Sequence, residues 1–479
     1  MAERLFIQLY KDIDTPLYVQ VADSLRAALS DGQLRPGDRL ESVRRLSDAL
    51  GVNPATIVSA YNILAKEGLV EARPGSGAYI SASAAASGLP AEPLGQPGQP
   101  EAGSTSGRID FSANAPPRHL FPLEDVKRYL VEAVDRDGGQ AFEYQTANGY
   151  EPLRAAIAGR LSRQLPQPPH PDTVHIVSGA QQGIDLVARV ILRRGDLALV
   201  ESPGYRGARD VFVATGARVE AVPLEADGLD LDALERLAAS RPLRLVYANP
   251  VLQNPTGLCW SEAKKRQLAE LAGRFGFYVI EDDLFSDFLY DDAGYRPLKH
   301  YDVHDRVFHI KSFSKSLMPG LRIACLLAPL ALQERLSAAK QSVDLFSNGL
   351  MQRLLERFLA GPAYDAHLAA ARTWYRQARD TCLAALGSAG LSDWPYVVPA
   401  GGINLWLGLP AAATGRLTAS RLAAELAVQG VLVAPEARFR HETADRPDGH
   451  LRLSYGSVPL ADIGCGIDLL AAAAARLIG

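Results

Sequence analysis

Lys311-Ser312-Phe313-Ser314-Lys315-Ser316-Leu317-Met318-Pro319-Gly320-Leu321-Arg322 lies between two short apolar runs, Val307-Phe308-His309-Ile310 before it and Ile323-Ala324-Cys325-Leu326-Leu327 after it. Each run is bounded by turn formers and reads as a buried strand. The loop between them carries hydroxyls, a central lysine and, seven residues further on, an arginine. Arginine and hydroxyl donors suit a phosphate. A lysine amine suits an aldehyde, with which it forms a Schiff base. Pyridoxal phosphate (PLP) carries both groups. Lys315 is therefore expected to hold PLP, with Ser312 and Arg322 on its phosphate.

Working outward, residues 109–479 alternate apolar runs with helical patterns, which argues for a mostly parallel sheet flanked by helices. Val174–Val177, Leu197–Val200, Leu243–Ala248 and Phe277–Ile280 read as strands, and polar motifs follow each of them. Open α/β sheets bind ligands at such strand ends. Gly179-Ala180-Gln181 opens a helix, where free amides and the dipole favour a phosphate. Neither the Rossmann nor the P-loop glycine fingerprint is present. Asp282 can keep a pyridine nitrogen protonated, which an electron-sink cofactor needs. Tyr205 offers a flat face to a ring, and Asn254 a donor to its phenolic oxygen. Singly, each residue has a plainer role in a turn or in packing; together and in this order they point to PLP.

The chain has 479 residues, nearly half of them hydrophobic, so two or three domains with sizeable cores are expected. No run of about 20 apolar residues occurs, and Met1-Ala2-Glu3-Arg4 opens no apolar signal core, so neither membrane insertion nor secretion is expected. Cys259, Cys325, Cys382 and Cys465 are far apart and form neither a metal box nor a disulfide framework. No metal is expected, and a reducing cytoplasm is the simplest setting.

Residues 1–82 read as three helices and a hairpin. Val21, Leu25, Ala28 and Leu29 share one face, as do Val43, Leu46 and Leu50. Asn53 can cap a third helix with Pro54 at its first position. Leu69–Arg73 and Ala78–Ile80 flank Pro74-Gly75-Ser76-Gly77 as a hairpin. This order is a winged helix-turn-helix, whose third helix would enter the major groove. The segment is not basic: nine Lys/Arg stand against ten Asp/Glu up to Ile80. A small interaction module with an ordinary solvated face is the plain alternative. Residues 83–108 are rich in Pro, Gly and Ser and read as an unstructured tether with a coil span of roughly 25–30 Å.

The order PGDRLESVRRLSDALGVNPATIVSAYNILAKEGLVEARPGSGAYI resembles the DNA-binding domain of the GntR regulator family, wing included. The resemblance implies DNA contacts from Arg44, Arg45, Asn53, Thr56, Ser59 and Tyr61, and from Arg73, Gly75 and Gly77 on the wing. Glu41 stands where the family usually has proline, and Pro54 where it often has arginine, which removes one phosphate or base contact. Downstream, SGAQQ, ESPGY, NPTG, EDD, SFSK, PGLR and LRLSYG together resemble fold-type I PLP enzymes of the aminotransferase superfamily. That resemblance implies a large PLP-binding subdomain of about 150–340 and a smaller α+β one of about 109–149 and 341–479. It makes Lys315 the Schiff-base lysine and Arg452 the clamp on a substrate α-carboxylate. It places Tyr144 on the phosphate in a partner subunit, hence a homodimer, and Asn114 near the substrate. Such enzymes often have a tyrosine three residues after the aspartate. Phe285 stands there, with Leu284 before it, so no hydroxyl donor from this stretch reaches the phenolic oxygen.

The two modules joined by a tether resemble the MocR subfamily of GntR regulators. The resemblance implies a PLP-dependent transcription regulator, dimeric in head-to-tail order, that binds promoter DNA and senses an amino acid or amine by aldimine exchange at Lys315. Two alternatives stand beside it: a competent aminotransferase carrying a DNA-binding domain, and a regulator whose effector is PLP itself.

Overall fold

The computed structural model describes residues 16–30, 34, 37–66, 69–73, 77–81, 108–291, 294–410, 417–441 and 448–478. The chain divides into two compact units, Met1–Ala102 and Gly103–Gly479. The expected tether, 83–108, lies outside the described residues except for Arg108.

In the first unit, helices Leu17–Ser30, Val43–Leu50 and Pro54–Lys66 precede strands Val70–Arg73 and Gly77–Ile80, which pair antiparallel. Ser42 caps the second helix by accepting from the Arg45 amide, and Gly51 ends it in the left-handed region at φ 61°. Asn53 accepts from the Ala55 amide at 2.9 Å and starts the third helix ahead of Pro54. Val21, Leu25, Ile57, Leu64, Val70 and Ile80 form one core.

The second unit is built on a sheet whose strands run, from one edge, Val174–Val177, Ala324–Leu327, Val307–Ser312, Tyr278–Asp283, Leu243–Ala248, Leu197–Ser202, Arg218–Glu225 and Gly228–Leu229. The sheet is mixed. Ala324–Leu327 runs antiparallel to both neighbours, and Gly228–Leu229 turns back on the strand before it. The loop from Phe313 to Ile323 is too short for the crossover that parallel pairing needs, so the strand after it returns antiparallel. The other strands are parallel and bring their C-terminal ends, with Gly179, Tyr205, Asn249, Asp282 and Ser312, to one edge. Gly183 lets helix Ala180–Ile191 lie close on the sheet: a Cβ there would stand 3.1 Å from Ile310 Cδ1.

A smaller layer follows. Leu405–Gly408, His450–Leu453 and Ala434–Pro435 pair antiparallel, and Val431–Leu432 pairs with Ile109–Asp110. Helices Ala419–Val428 and Leu460–Ile478 share its core with Phe111, Leu405 and Leu453. The expected small subdomain is too large at both ends. Tyr129 of helix Leu123–Asp137, and Leu354, Leu355 and Phe358 of helix Gly349–Ala360, are buried instead with Ile176, Phe285 and Phe313 against the large sheet. Helix Ala363–Ser388 spans both cores, Tyr364 to Tyr375 in one and Ala378 to Leu386 in the other.

Candidate functional site

Register assembles the phosphate end. Ala324 pairs with Val177, so the chain just before one strand meets the chain just after the other. Arg322 donates from Nη2 to the Ser178 carbonyl at 2.9 Å. Gly179 sits at φ 97°, and a Cβ on it would lie 2.6 Å from Arg322 Nη2, so only glycine fits. Helix Ala180–Ile191 starts there with no side-chain cap, which leaves first-turn amides for an anion. Ser312 is buried, its Oγ accepting from the Ser314 amide at 3.3 Å. The Gln181 side chain is otherwise engaged: it donates to the Gly207 carbonyl at 3.0 Å and accepts from the Tyr205 hydroxyl at 2.8 Å. Gln181 thus orients the Tyr205 ring, and only its backbone faces the phosphate role.

Asp282 occupies the ring end. Its Oδ2 accepts from the Tyr247 hydroxyl at 2.7 Å, while its Oδ1 is buried with no partner. Burial pushes this carboxyl up to about 7. A buried acceptor left unpaired is costly, and a protonated pyridine nitrogen would satisfy it. Asn249 donates to the Asp282 carbonyl at 2.6 Å and accepts from the Asn254 amide at 2.8 Å. Asn254 Oδ1 accepts from Arg452 at 2.8 Å, which leaves its Nδ2 to donate. Phe285 is buried among Phe288 and Phe313 and has no donor to offer.

Lys315 donates to the Asn114 carbonyl. Burial, then the charges of Arg452 and Arg322, hold its amine down to about 8. Such an amine has a far larger neutral fraction near pH 7 than an ordinary lysine, and the neutral form is the nucleophile. Arg452 is buried, donates to the Ser112 carbonyl at 2.7 Å and keeps its Nε unpaired. The guanidinium lies 5.0 Å from the Phe439 ring, and burial, then Arg438, lower it to about 10. Its open N–H groups suit a carboxylate. Asn404 joins this end, donating to Asn114 Oδ1 at 3.2 Å and accepting from Ser454 at 2.7 Å.

Sequence reasoning missed Tyr247, Asn249, Glu201 and Gln253. Glu201 is fully buried, pushed up to about 7 by burial, and accepts from the Asn249 amide and Gln253 at 2.8 and 2.9 Å. A tyrosine inside the apolar run Leu243–Ala248 was the available signal for Tyr247. Tyr144 stands apart from the cluster, 85% exposed and edge-on to Phe346 at 5.6 Å.

On the first unit, Arg44, Arg45, Asn53 and Ser59 are exposed and Thr56 is half-buried. Gly77 is exposed at φ 116°. Gly75 lies outside the described residues, and of Arg73 only the strand backbone is described. Tyr61 faces the wrong way for DNA: it is a core residue whose hydroxyl donates to the Glu41 carbonyl at 2.8 Å. Its place on the inner stripe with Ile57 and Leu64 is the reason. Glu41 also pairs with Arg45 at 3.7 Å, occupying an expected phosphate contact.

The family of aminotransferases of class I and II matches residues 106–465. The chain belongs to that family. Bacterial regulatory proteins of the gntR family match residues 17–80. The HTH-type transcriptional regulator TauR of Rhodobacter capsulatus is 31% identical, covering 92% of this chain and 93% of its own. The probable rhizopine catabolism regulatory protein MocR of Rhizobium meliloti is 27% identical over 81% of this chain and 80% of its own. The crystal structure of Pyrococcus horikoshii kynurenine aminotransferase in complex with PMP superimposes with a TM-score of 0.72 at 29% identity, covering 78% of this chain and 92% of that one. A gntR-type DNA-binding domain is thus fused to an aminotransferase-like domain, the arrangement of MocR-type regulators, and PLP is the cofactor that both the fold and the orphaned Asp282 oxygen fit. Among the described residues no cluster suits a metal ion, and no helix is long and apolar enough to cross a membrane.

Proposed function

We propose that the protein is a PLP-dependent transcription regulator that binds promoter DNA through its first unit and senses an amino acid or amine at Lys315. The observation that carries this is the buried, half-unpaired Asp282 carboxylate together with Lys315 and Arg452, in the same chain as a winged helix-turn-helix. When bound, PLP supplies an aldehyde that condenses with primary amines. Gly179, Ala180, Ser312 and Arg322 would hold its phosphate, Tyr205 its ring face, Asp282 its ring nitrogen and Asn254 its phenolic oxygen. Lys315 holds a proton against the Asn114 carbonyl when free. Arg452 orients the carboxylate of an incoming amino acid.

The route to DNA starts at Ser112–Asn114. This stretch receives both Arg452 and Lys315 through its carbonyls and begins three residues beyond the 83–108 segment, after Ile109-Asp110-Phe111. An effector that displaces Lys315 and takes Arg452 changes both bonds, and only such a difference between states can bias DNA binding. We further propose a cytoplasmic head-to-tail homodimer in which the exposed Tyr144 reaches the cofactor phosphate of the other subunit. Arg44, Arg45, Ser59, Thr56 and the wing would meet the DNA.

A catalytic reading also has support, because Lys315, Asp282 and Arg452 are all in place. Following the visible absorbance of bound PLP while amino acids are added distinguishes the two. Arrest without turnover on a keto acid is expected of the regulator; sustained transfer of the amino group to a keto acid would favour the enzyme. If PLP itself is the effector, Arg452→Ala should leave DNA regulation intact.

A further inference from the structure

A second cavity lies against the Lys315 segment. It has a volume of about 330 Å³, within the range of small-ligand sites. Arg160, Arg163, Lys311 and Arg372 line it together with Asp287 and Asp365. Four cations thus face two carboxylates. Lys311 is paired to Asp287 at 3.1 Å and to Asp283 at 3.2 Å. Arg160 pairs with Asp365 at 2.5 Å, while Arg163 is exposed at the mouth. Phe313 and Tyr364 complete the wall. None of these residues belongs to the PLP cradle.

We propose that this cavity binds a small dianionic oxyanion, of the phosphoryl or dicarboxylate class. Arginine forks match such oxygens in pairs. Binding there is positioned to be felt at Lys315. The Tyr364 hydroxyl lies 2.9 Å from both Ser316 Oγ and Asp287 Oδ2, and Ser316 adjoins Lys315 in the chain. Arg160 stacks over the Tyr364 ring at 4.7 Å, and Arg372 donates to the Asp287 carbonyl at 2.7 Å. An anion that draws Arg160 from Asp365 therefore acts on the residues that brace the Lys315 loop from behind.

The test uses the full chain loaded with PLP, so that the phosphate cradle is filled. Inorganic phosphate and succinate are titrated separately by calorimetry into the wild type, Arg163→Glu and Arg372→Gln. One site per chain is expected for at least one probe, weakened tenfold or more by Arg163→Glu, an exposed change that spares the fold. Binding of phosphate alone assigns the phosphoryl class, and of succinate alone the dicarboxylate class. The bound probe should also shift the pH midpoint of the visible PLP band in the wild type and not in Arg163→Glu. Absence of binding by both probes, or affinities unchanged in both variants, overturns the proposal. Neither outcome depends on whether the protein regulates DNA.

Discussion

The two units solve recognition in opposite ways. In the first, the described buried residues are apolar or uncharged, with Gln20, Ser47, Ser81 and the Tyr61 hydroxyl the polar ones, and most of the residues offered to DNA sit in water. In the second, Asp282 and Arg452 are buried and Lys315 is shielded, and all three titrate far from their ordinary values. Exposed contacts act at high dielectric, so each is weak, salt-dependent and close to additive. Buried ones act at low dielectric, so each depends on its neighbours and losing one disturbs the rest. The first unit should therefore degrade gradually under mutation, and the second abruptly.

The largest expected effect is on the chemistry of Lys315. Only the neutral amine attacks an aldehyde, and its folded value is about 8 against 10.5 for an ordinary lysine. PLP capture by apo-protein should slow about tenfold per pH unit below 8 and level off above it, read by stopped-flow absorbance. A profile that levels only near 10 would break the contrast between the units. Next, Arg452→Leu should weaken a carboxylate-bearing effector by about 10–100-fold, from the loss of about 1.5–3 kcal/mol in charged hydrogen bonds, while PLP stays bound. Titration of the visible band measures it.

Effects in the first unit should be smaller. Arg44→Ala should lower the slope of log affinity against log salt by about one and weaken all sequences alike, as seen in anisotropy at several salt concentrations. Smallest is Glu41→Gln. Freeing Arg45 from an exposed pair worth about 0–1 kcal/mol should tighten DNA binding by less than about fivefold. A collapse of binding in Arg44→Ala or a large gain in Glu41→Gln would mean that this surface is as tightly coupled as the cofactor site.

Much of this organisation was legible because the chemistry is local. Lys315, Asp282 and Tyr205 lie within five residues of the end of an apolar run, and strand ends are where an α/β sheet presents groups to ligands. The third helix could be read from Asn53-Pro54 and its apolar stripe. What escaped depends on register and on tertiary packing. The meeting of Arg322 with Gly179 requires the antiparallel pairing of Ala324 with Val177, which a mostly parallel expectation does not contain. Tyr247 serves Asp282 from a neighbouring strand, 35 residues away in sequence. The family resemblance placed Tyr61 among the DNA contacts, and its burial with Ile57 and Leu64 puts it in the core instead. Helix Leu123–Asp137 joined the large core because its Tyr129 packs edge-on against Phe358 at 4.9 Å.

The most direct measurement is binding of the full chain to the promoter region beside its own gene, by gel shift, for wild type and Lys315→Ala, each with and without PLP and a panel of amino acids. Both proteins should bind DNA, and only the PLP-loaded wild type should change its affinity or complex pattern when an effector amino acid is added. Failure of every form to bind, or an identical amino-acid response in Lys315→Ala, would contradict a sensor centred on Lys315.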